Sequence, residues 1–202
     1  MIAVVGYGAG NLGSVVRALG RIGASASVCT DPADLVGATR VVLPGVGAFA
    51  AAMEELARAG WNDALREHVA AERPLLGICL GMQLLGTTGD EGGRTAGLDL
   101  IPGEVHHLAD RGCSAPTPHI GWNEVCWAGT SGLHDGIPDR TDFYFANSYA
   151  FYPSDSGHVI GWVEHDISFP GMVQLGHVYG IQCHPEKSSF AGLRVLQNFV
   201  AA

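Results

Sequence analysis

The stretch Gly77-Ile78-Cys79-Leu80-Gly81-Met82-Gln83 constrains this chain more than any other. It follows the apolar run Pro74-Leu75-Leu76 and leads into Leu84-Leu85, which reads as a buried strand, a sharp turn and the first turn of a helix. The pattern G-x-C-x-G copies the nucleophile elbow G-x-S-x-G with sulfur in place of oxygen. Glycines two residues to either side let the backbone fold tightly and are expected to keep side chains out of a substrate's path. A cysteine at that turn faces the positive end of the helix, which favours thiolate over thiol. The elbow alone leaves a plainer alternative open, since a free cysteine usually serves as a small buried apolar residue.

Upstream, Ile2–Val5 reads as an apolar strand running into Gly6-Tyr7-Gly8-Ala9-Gly10-Asn11-Leu12-Gly13. Val15, Val16, Leu19 and Ile22 then recur at helical spacing, and a short strand near Ala26–Cys29 ends at Asp31. Gly8-Ala9-Gly10-Asn11-Leu12-Gly13 matches the dinucleotide fingerprint G-x-G-x-x-G, with Asp31 roughly where a ribose-binding acid belongs. A nicotinamide- or flavin-binding Rossmann domain is therefore a competing class, against a glycine-rich turn that binds nothing. Arg40–Leu43 is the next strand, and Pro44-Gly45-Val46-Gly47-Ala48-Phe49 after it can aim backbone N–H groups at developing negative charge, or be an ordinary loop. A helix from about Ala50 to Glu72, broken near Gly60, leads to the strand carrying Cys79. Strands apolar along their whole length, alternating with helices, predict an α/β fold with a mainly parallel sheet.

From about Glu104 the texture changes to short alternating stretches with turns at Pro116-Thr117-Pro118, Gly129-Thr130 and Gly136-Ile137-Pro138. These predict antiparallel strands appended to the sheet. Trp122, in Pro118-His119-Ile120-Gly121-Trp122-Asn123, marks either a contact surface or a packed core position. Phe143–Tyr149 reads as an aromatic strand ending in polar groups, His158 and His165 as isolated and solvated, and Leu193–Val200 as a closing helix.

Composition narrows the function classes. Eleven basic against twenty acidic residues give a net charge of −9, and no basic run appears, which argues against nucleic-acid binding. Five cysteines without C-x-x-C spacing suggest neither a disulfide framework nor a zinc site, so no metal is expected. No apolar segment approaches membrane-spanning length, and the N-terminus resembles a core strand more than a signal sequence. A single domain over 1–202, in a reduced, cytoplasmic setting, is the expectation.

The second chemically dense stretch is Tyr179-Gly180-Ile181-Gln182-Cys183-His184-Pro185-Glu186-Lys187-Ser188. A strand ends at His184, and Pro185 locks the turn before Glu186. A general base needs an imidazole near neutral pKa and a partner that fixes its tautomer, and His184 with Glu186 can supply both. With an elbow cysteine elsewhere in the chain, the pair reads as base and orienter for Cys79.

These motifs together, in this order, resemble the class I (triad) glutamine amidotransferases, whose fold is flavodoxin-like. The version with Gly10-Asn11, Leu43–Phe49 and Pro118–Asn123 looks like the branch formed by glutaminase subunits of imidazole glycerol phosphate synthase. The resemblance spans Tyr7 to Phe199. It implies that Cys79 attacks the side-chain amide of L-glutamine, with His184 as base and then acid and Glu186 orienting the imidazole. It implies an oxyanion hole from Gly45, Val46, Gly47 and Leu80, and substrate contacts from Gln83, Ser148 and Tyr149. Ammonia would pass, with no cofactor, to a barrel-type cyclase subunit making imidazole glycerol phosphate and AICAR in histidine biosynthesis. Asn11, Trp122 and Lys187 match positions facing that partner, and the Rossmann-like glycines become a turn near the interface. Several positions depart from the pattern: Gly6 stands for the usual Asp, Asn147 for His, Cys183 for Phe, and Gly161–Asp166 for a threonine-rich stretch. The departures open a second reading, a paralogue that feeds ammonia to a nucleotide-sugar or natural-product synthase.

Overall fold

A computed structural model describes residues 1–8 and 10–202; Ala9, inside the dinucleotide-like fingerprint, lies outside the described residues. In the first part of the chain, strands alternate with helices: β1 (Ile2–Val5), α1 (Leu12–Arg21), β2 (Ala26–Cys29), β3 (Arg40–Gly45), α2 (Phe49–Arg58), α3 (Trp61–Ala70), β4 (Leu75–Cys79) and α4 (Leu80–Leu84). Two short strands follow, β5 (Thr88–Gly89) and β6 (Thr95–Ala96), and then β7 (Gly103–His107), β8 (His119–Trp127), β9 (Thr141–Asn147) and β10 (Tyr149–Pro153). The chain closes with β11 (Val159–His165), β12 (Ile167–Leu175), β13 (Val178–Ile181) and α5 (Ser189–Ala201). The predicted break in the long helix is real: Gly60 takes a left-handed conformation, φ 78°, between α2 and α3.

A nine-stranded sheet runs β2-β1-β3-β4-β13-β12-β11-β8-β9. Its first five strands are parallel, as their uninterrupted apolar runs predict, and the other four are added antiparallel. Each buried strand feeds two cores because successive side chains point to opposite faces. Ile2, Val4, Val42, Leu76 and Ile78 pack with Val15 and Leu19 of α1 and with Val195, Leu196 and Phe199 of α5. Ala3, Val5, Val41, Leu43 and Leu75 pack with Phe49 and Leu56 of α2, Trp61 and Leu65 of α3, and Met82 of α4. No helix is long and apolar enough to cross a membrane among the described residues.

Not all of the later strands join this sheet. β7 and β10 form a second, four-stranded sheet in the order β10-β7-β5-β6. The switch occurs at Ser148, the single residue between β9 in the large sheet and β10 in the small one. The closing helix also starts earlier than its apolar spacing suggests, at Ser189. His165 is not isolated: its half-buried ring lies tilted by 32° against that of buried His119, with centroids 4.2 Å apart. β8 hydrogen-bonds to β11 and places the two rings together.

Candidate active site

The elbow owes its shape to three backbones in close approach. β3 and β4 pair in parallel with Leu43 opposite Gly77 and Gly45 opposite Cys79. A Cβ on Gly77 would stand 2.5 Å from the carbonyl oxygen of Gly81, and one on Gly81 would stand 1.8 Å from that of Leu43. The glycines are therefore required by backbone packing inside the fold, and this replaces the expectation that they clear a substrate's path. Between them Cys79 is held at φ 54°, ψ −113°, a conformation that a residue with a Cβ rarely adopts. The Cys79 side chain sits at the carboxyl end of β4, and only 7% of the residue is accessible.

Opposite the sulfur, β13 ends and the turn at Pro185 presents His184. Its Nδ1 lies 2.9 Å from Oε1 of Glu186, and both side chains are buried. The His184 backbone N–H donates to the Tyr144 carbonyl oxygen at 2.8 Å. The hydroxyl of fully buried Ser188 donates to the His184 carbonyl at 2.6 Å and accepts the Tyr144 N–H at 3.0 Å. Burial alone would lower the His184 pKa, but hydrogen bonds to Cys79 and Glu186 outweigh it and push it up to about 9. Both hydrogen bonds thus favour the protonated imidazole beside the sulfur.

A cavity of about 390 Å³ joins these groups, and Val46, Gly47, Cys79, Leu80, Gln83, Glu91, Asn147, Ser148, Tyr149, His184 and Lys187 line it. Its floor is amide chemistry. Gln83 Nε2 donates to the Tyr149 carbonyl and to Oε1 of Gln182, each at 3.0 Å, which leaves Gln83 Oε1 as a free acceptor. Asn147 Nδ2 donates to the same Tyr149 carbonyl at 3.1 Å.

Of the positions singled out from the sequence, the cavity gathers Cys79, His184, Val46, Gly47, Leu80, Gln83, Ser148, Tyr149 and Lys187. Glu186 stands behind His184, and a narrower cleft places it with Asn11 and Gly45. Trp122 lies outside the cavity and is 54% exposed, beside Ile120 at 63%, so the packed-core reading of this tryptophan is wrong. It meets the Tyr144 ring edge-on at 6.1 Å, and Lys187 Nζ stands 5.4 Å from the same ring, linking exposed face to cavity.

Three residues went unread. Glu91 is the only carboxylate lining the cavity among the described residues, and its Oε2 accepts the Phe49 N–H at 2.7 Å where α2 begins. In the sequence it sits within Gly89-Asp90-Glu91-Gly92-Gly93, which signals only a turn. Tyr7 packs its buried hydroxyl against Gly45 with no hydrogen-bond partner among the described residues. Burial, and then the charge of Cys79, push that hydroxyl's pKa up. Gln182 is completely buried directly after the apolar strand β13, and a polar side chain there signals a partner waiting in the fold.

The dinucleotide reading fares differently. The Asp31 carboxylate accepts the Ala33 N–H at 2.9 Å and caps a short helical turn, so the proposed ribose contact is taken by the chain itself. No cluster of three or more potential metal ligands occurs among the described residues.

The model of the family described as "Glutamine amidotransferase class-I" matches residues 3–202. The chain is 48% identical over 198 residues to the imidazole glycerol phosphate synthase subunit HisH of Moorella thermoacetica, covering 98% of this chain and 93% of that one. It is 46% identical to the HisH subunit of Symbiobacterium thermophilum, covering 98% and 92%. Among solved structures, one described as a glutamine amidotransferase superposes with a TM-score of 0.78 at 19% identity, covering 99% of this chain and 97% of the other. PurLQS from Thermotoga maritima gives the same TM-score at 17% identity, with the same coverage. At such identities these two speak for the fold alone.

Proposed function

We propose a function from one premise: the chain belongs to the glutamine amidotransferase class-I family. It is a glutaminase, releasing ammonia from L-glutamine as a subunit of imidazole glycerol phosphate synthase in histidine biosynthesis. The observation that carries the chemistry is the strained Cys79 sharing one cavity with a buried His184–Glu186 pair.

The residues divide the work as follows. The Cys79 sulfur attacks the side-chain amide carbon of glutamine, and the carbonyl π electrons move to oxygen. The resulting oxyanion is met by backbone N–H groups of Leu80 and of the Gly45-Val46-Gly47 loop, which β3–β4 pairing sets beside the nucleophile. The imidazolium of His184 gives its proton to the leaving nitrogen, the C–N bond breaks, and ammonia departs from a thioester. Water then attacks the thioester, His184 takes its proton, the C–S bond breaks, and glutamate leaves. Glu186 accepts from Nδ1, so that Nε2 faces the reacting atoms. Glu91 fits the substrate ammonium group, the one cation this cavity must hold, with Gln83 Oε1, Ser148 and Tyr149 completing the contacts. No step calls for a cofactor.

The ammonia acceptor is a barrel-type cyclase subunit docked over Asn11, Trp122 and Lys187. Exposed apolar Trp122, Ile120 and Val46 surround the cavity side of the molecule and support a docking face there. The paralogue serving another synthase has no comparable support, since the HisH subunits match along nearly the whole chain.

The test measures glutamate release by the chain with and without a histidine-pathway cyclase subunit carrying its ligand. Slow turnover alone and stimulation of at least ~100-fold, the scale of one oxyanion donor, are expected. A diazo-ketone analogue of glutamine should label Cys79 and spare Cys29, Cys113, Cys126 and Cys183. Equal labelling of all five, or an active Cys79→Ser protein, would remove the proposal.

A further inference from the structure

Two buried amides run from the substrate-binding strand to the nucleophile. Gln83 Nε2 is 3.0 Å from the Tyr149 carbonyl oxygen and 3.0 Å from Oε1 of Gln182, whose own Nε2 lies 3.6 Å from the Cys79 sulfur. A glutamine amide can be turned over, exchanging nitrogen and oxygen, and only its partners decide which end faces where. Here the decision is forced from one end. A main-chain carbonyl can only accept, so Gln83 must turn its NH2 to Tyr149. The second N–H of that group points at Gln182, which must answer with oxygen. That leaves the Gln182 NH2 facing the sulfur. Turning Gln83 over would set oxygen against oxygen at 3.0 Å, and turning Gln182 over would set its NH2 against that of Gln83, both in buried surroundings where an unmade hydrogen bond is costly.

We infer that Gln182 is a further catalytic residue of the glutaminase reaction, holding an N–H on the Cys79 sulfur that favours its anionic form. The inference rests on the reading of Cys79 as nucleophile. An N–H donor strengthens when its acceptor gains charge, so this contact favours thiolate over thiol whether or not His184 has moved its proton. It also differs in kind from the triad: His184 gives and takes a proton, whereas Gln182 can only donate a hydrogen bond. Because Tyr149 and Asn147 border the cavity, the relay makes the polarity at sulfur depend on the strand that receives the substrate.

Alkylation of Cys79 by iodoacetamide, followed by mass spectrometry of its peptide across pH 5.5 to 9.5, tests this in the full chain. Gln182→Met keeps length and removes the donor. At pH 7 its labelling rate should fall by about ten- to one-hundred-fold, the range for a hydrogen bond to a charged group. The deficit should shrink as pH rises, because hydroxide then supplies the thiolate. A folded variant with wild-type rates at every pH, or an equal deficit at every pH, would overturn the inference. Should Gln182→Met fail to fold, the wild-type protein decides: the side-chain amide resonance of Gln182 should shift with pH in step with Cys79 labelling, and that of Gln174 should stay still. A Gln182 resonance that ignores the sulfur would overturn the inference equally. Wild-type Cys79 that labels no faster than the other four cysteines would instead defeat the nucleophile reading beneath it.

Discussion

Gly81→Ala isolates what the elbow needs from its backbone. The added carbon would sit 1.8 Å from the Leu43 carbonyl oxygen, inside the 3.0 Å limit that real Cβ atoms respect. β3 and the start of α4 must therefore part by at least about 1.2 Å. Neither can yield by a rotamer change, because the contact is with main chain and β3 is tied into the ladder with β4. Overpacking relieved by side chains costs about 1–3 kcal/mol, and relief through backbone belongs at the top of that range. At about 2–4 °C per kcal/mol for a chain of this size, the melting temperature should fall by about 6–12 °C. Catalysis should suffer separately, because the displaced strand ends at Gly45, where the loop proposed to meet the oxyanion begins. A misplacement near 1 Å costs about 100-fold in turnover.

The matched control is Gly20→Ala. Gly20 lies in α1 with open space around its would-be Cβ and no positive φ, so alanine should add about 0.5–1 kcal/mol of helix stability. Thermal melts by circular dichroism with parallel glutaminase assays read both variants. A Gly81→Ala protein melting within about 2 °C of wild type, or a Gly20→Ala protein that loses as much, would refute the close-approach account.

Two further outcomes follow from the same geometry. Burial lowers His119 to about 4 from 6.5, and neighbouring His165 pushes the same way; the ring also faces Phe145, Phe169 and the Asn123 amide. Because the folded value lies below the unfolded one, the unfolded chain gains the proton first, and stability falls as pH drops from 6.5 toward 4, by up to about 3 kcal/mol. His119→Gln should flatten that part of the stability profile in urea titrations at pH 7 and pH 4.5, and an unchanged slope would count against it. Glu91→Gln should raise the KM for glutamine about ten- to one-hundred-fold and leave kcat near wild type, since it removes binding shared by ground and transition states. A variant that lowers kcat with KM unchanged would place Glu91 elsewhere in the mechanism.

The parallel half of the fold was readable because its strands are apolar on both faces and end in glycine-rich turns, so that period and punctuation agree. Later strands carried less information. Nothing in the alternation of β7 and β10 says that they leave the large sheet, because the switch depends on one residue, Ser148. The candidate site was legible where local geometry forces sequence, as at Gly77–Gly81 and His184–Glu186. It was illegible where a residue acts by returning from afar. Glu91 matters because its loop reaches the first turn of α2, and His165 because β11 lies beside β8. Trp122 needed the sheet as well, since only β8's position toward the edge of the nine strands leaves that face uncovered.

Three of the departures from the family pattern, Gly6, Cys183 and Asn147, concern what surrounds the candidate site. A Cβ on Gly6 would stand 2.9 Å from Cγ1 of Val28 and 3.3 Å from both Cδ1 of Leu12 and the Cys29 carbonyl oxygen, so the space that a larger residue would need is already filled. Cys183 is fully buried, and burial, followed by the charge of Glu186, pushes its thiol well up. A thiol so placed stays protonated and fills volume in the manner of an apolar side chain, although it adjoins His184. Asn147 still donates toward the cavity, and its acceptor is the same Tyr149 carbonyl that orients Gln83. All three substitutions thus leave the His184–Glu186 pair and the elbow intact. They carry little information about the synthase that receives the ammonia, because none of them reaches the exposed face around Trp122 and Ile120. Partner choice must be encoded where a partner can touch, and on that face the chain keeps exposed apolar side chains that its own folding does not require.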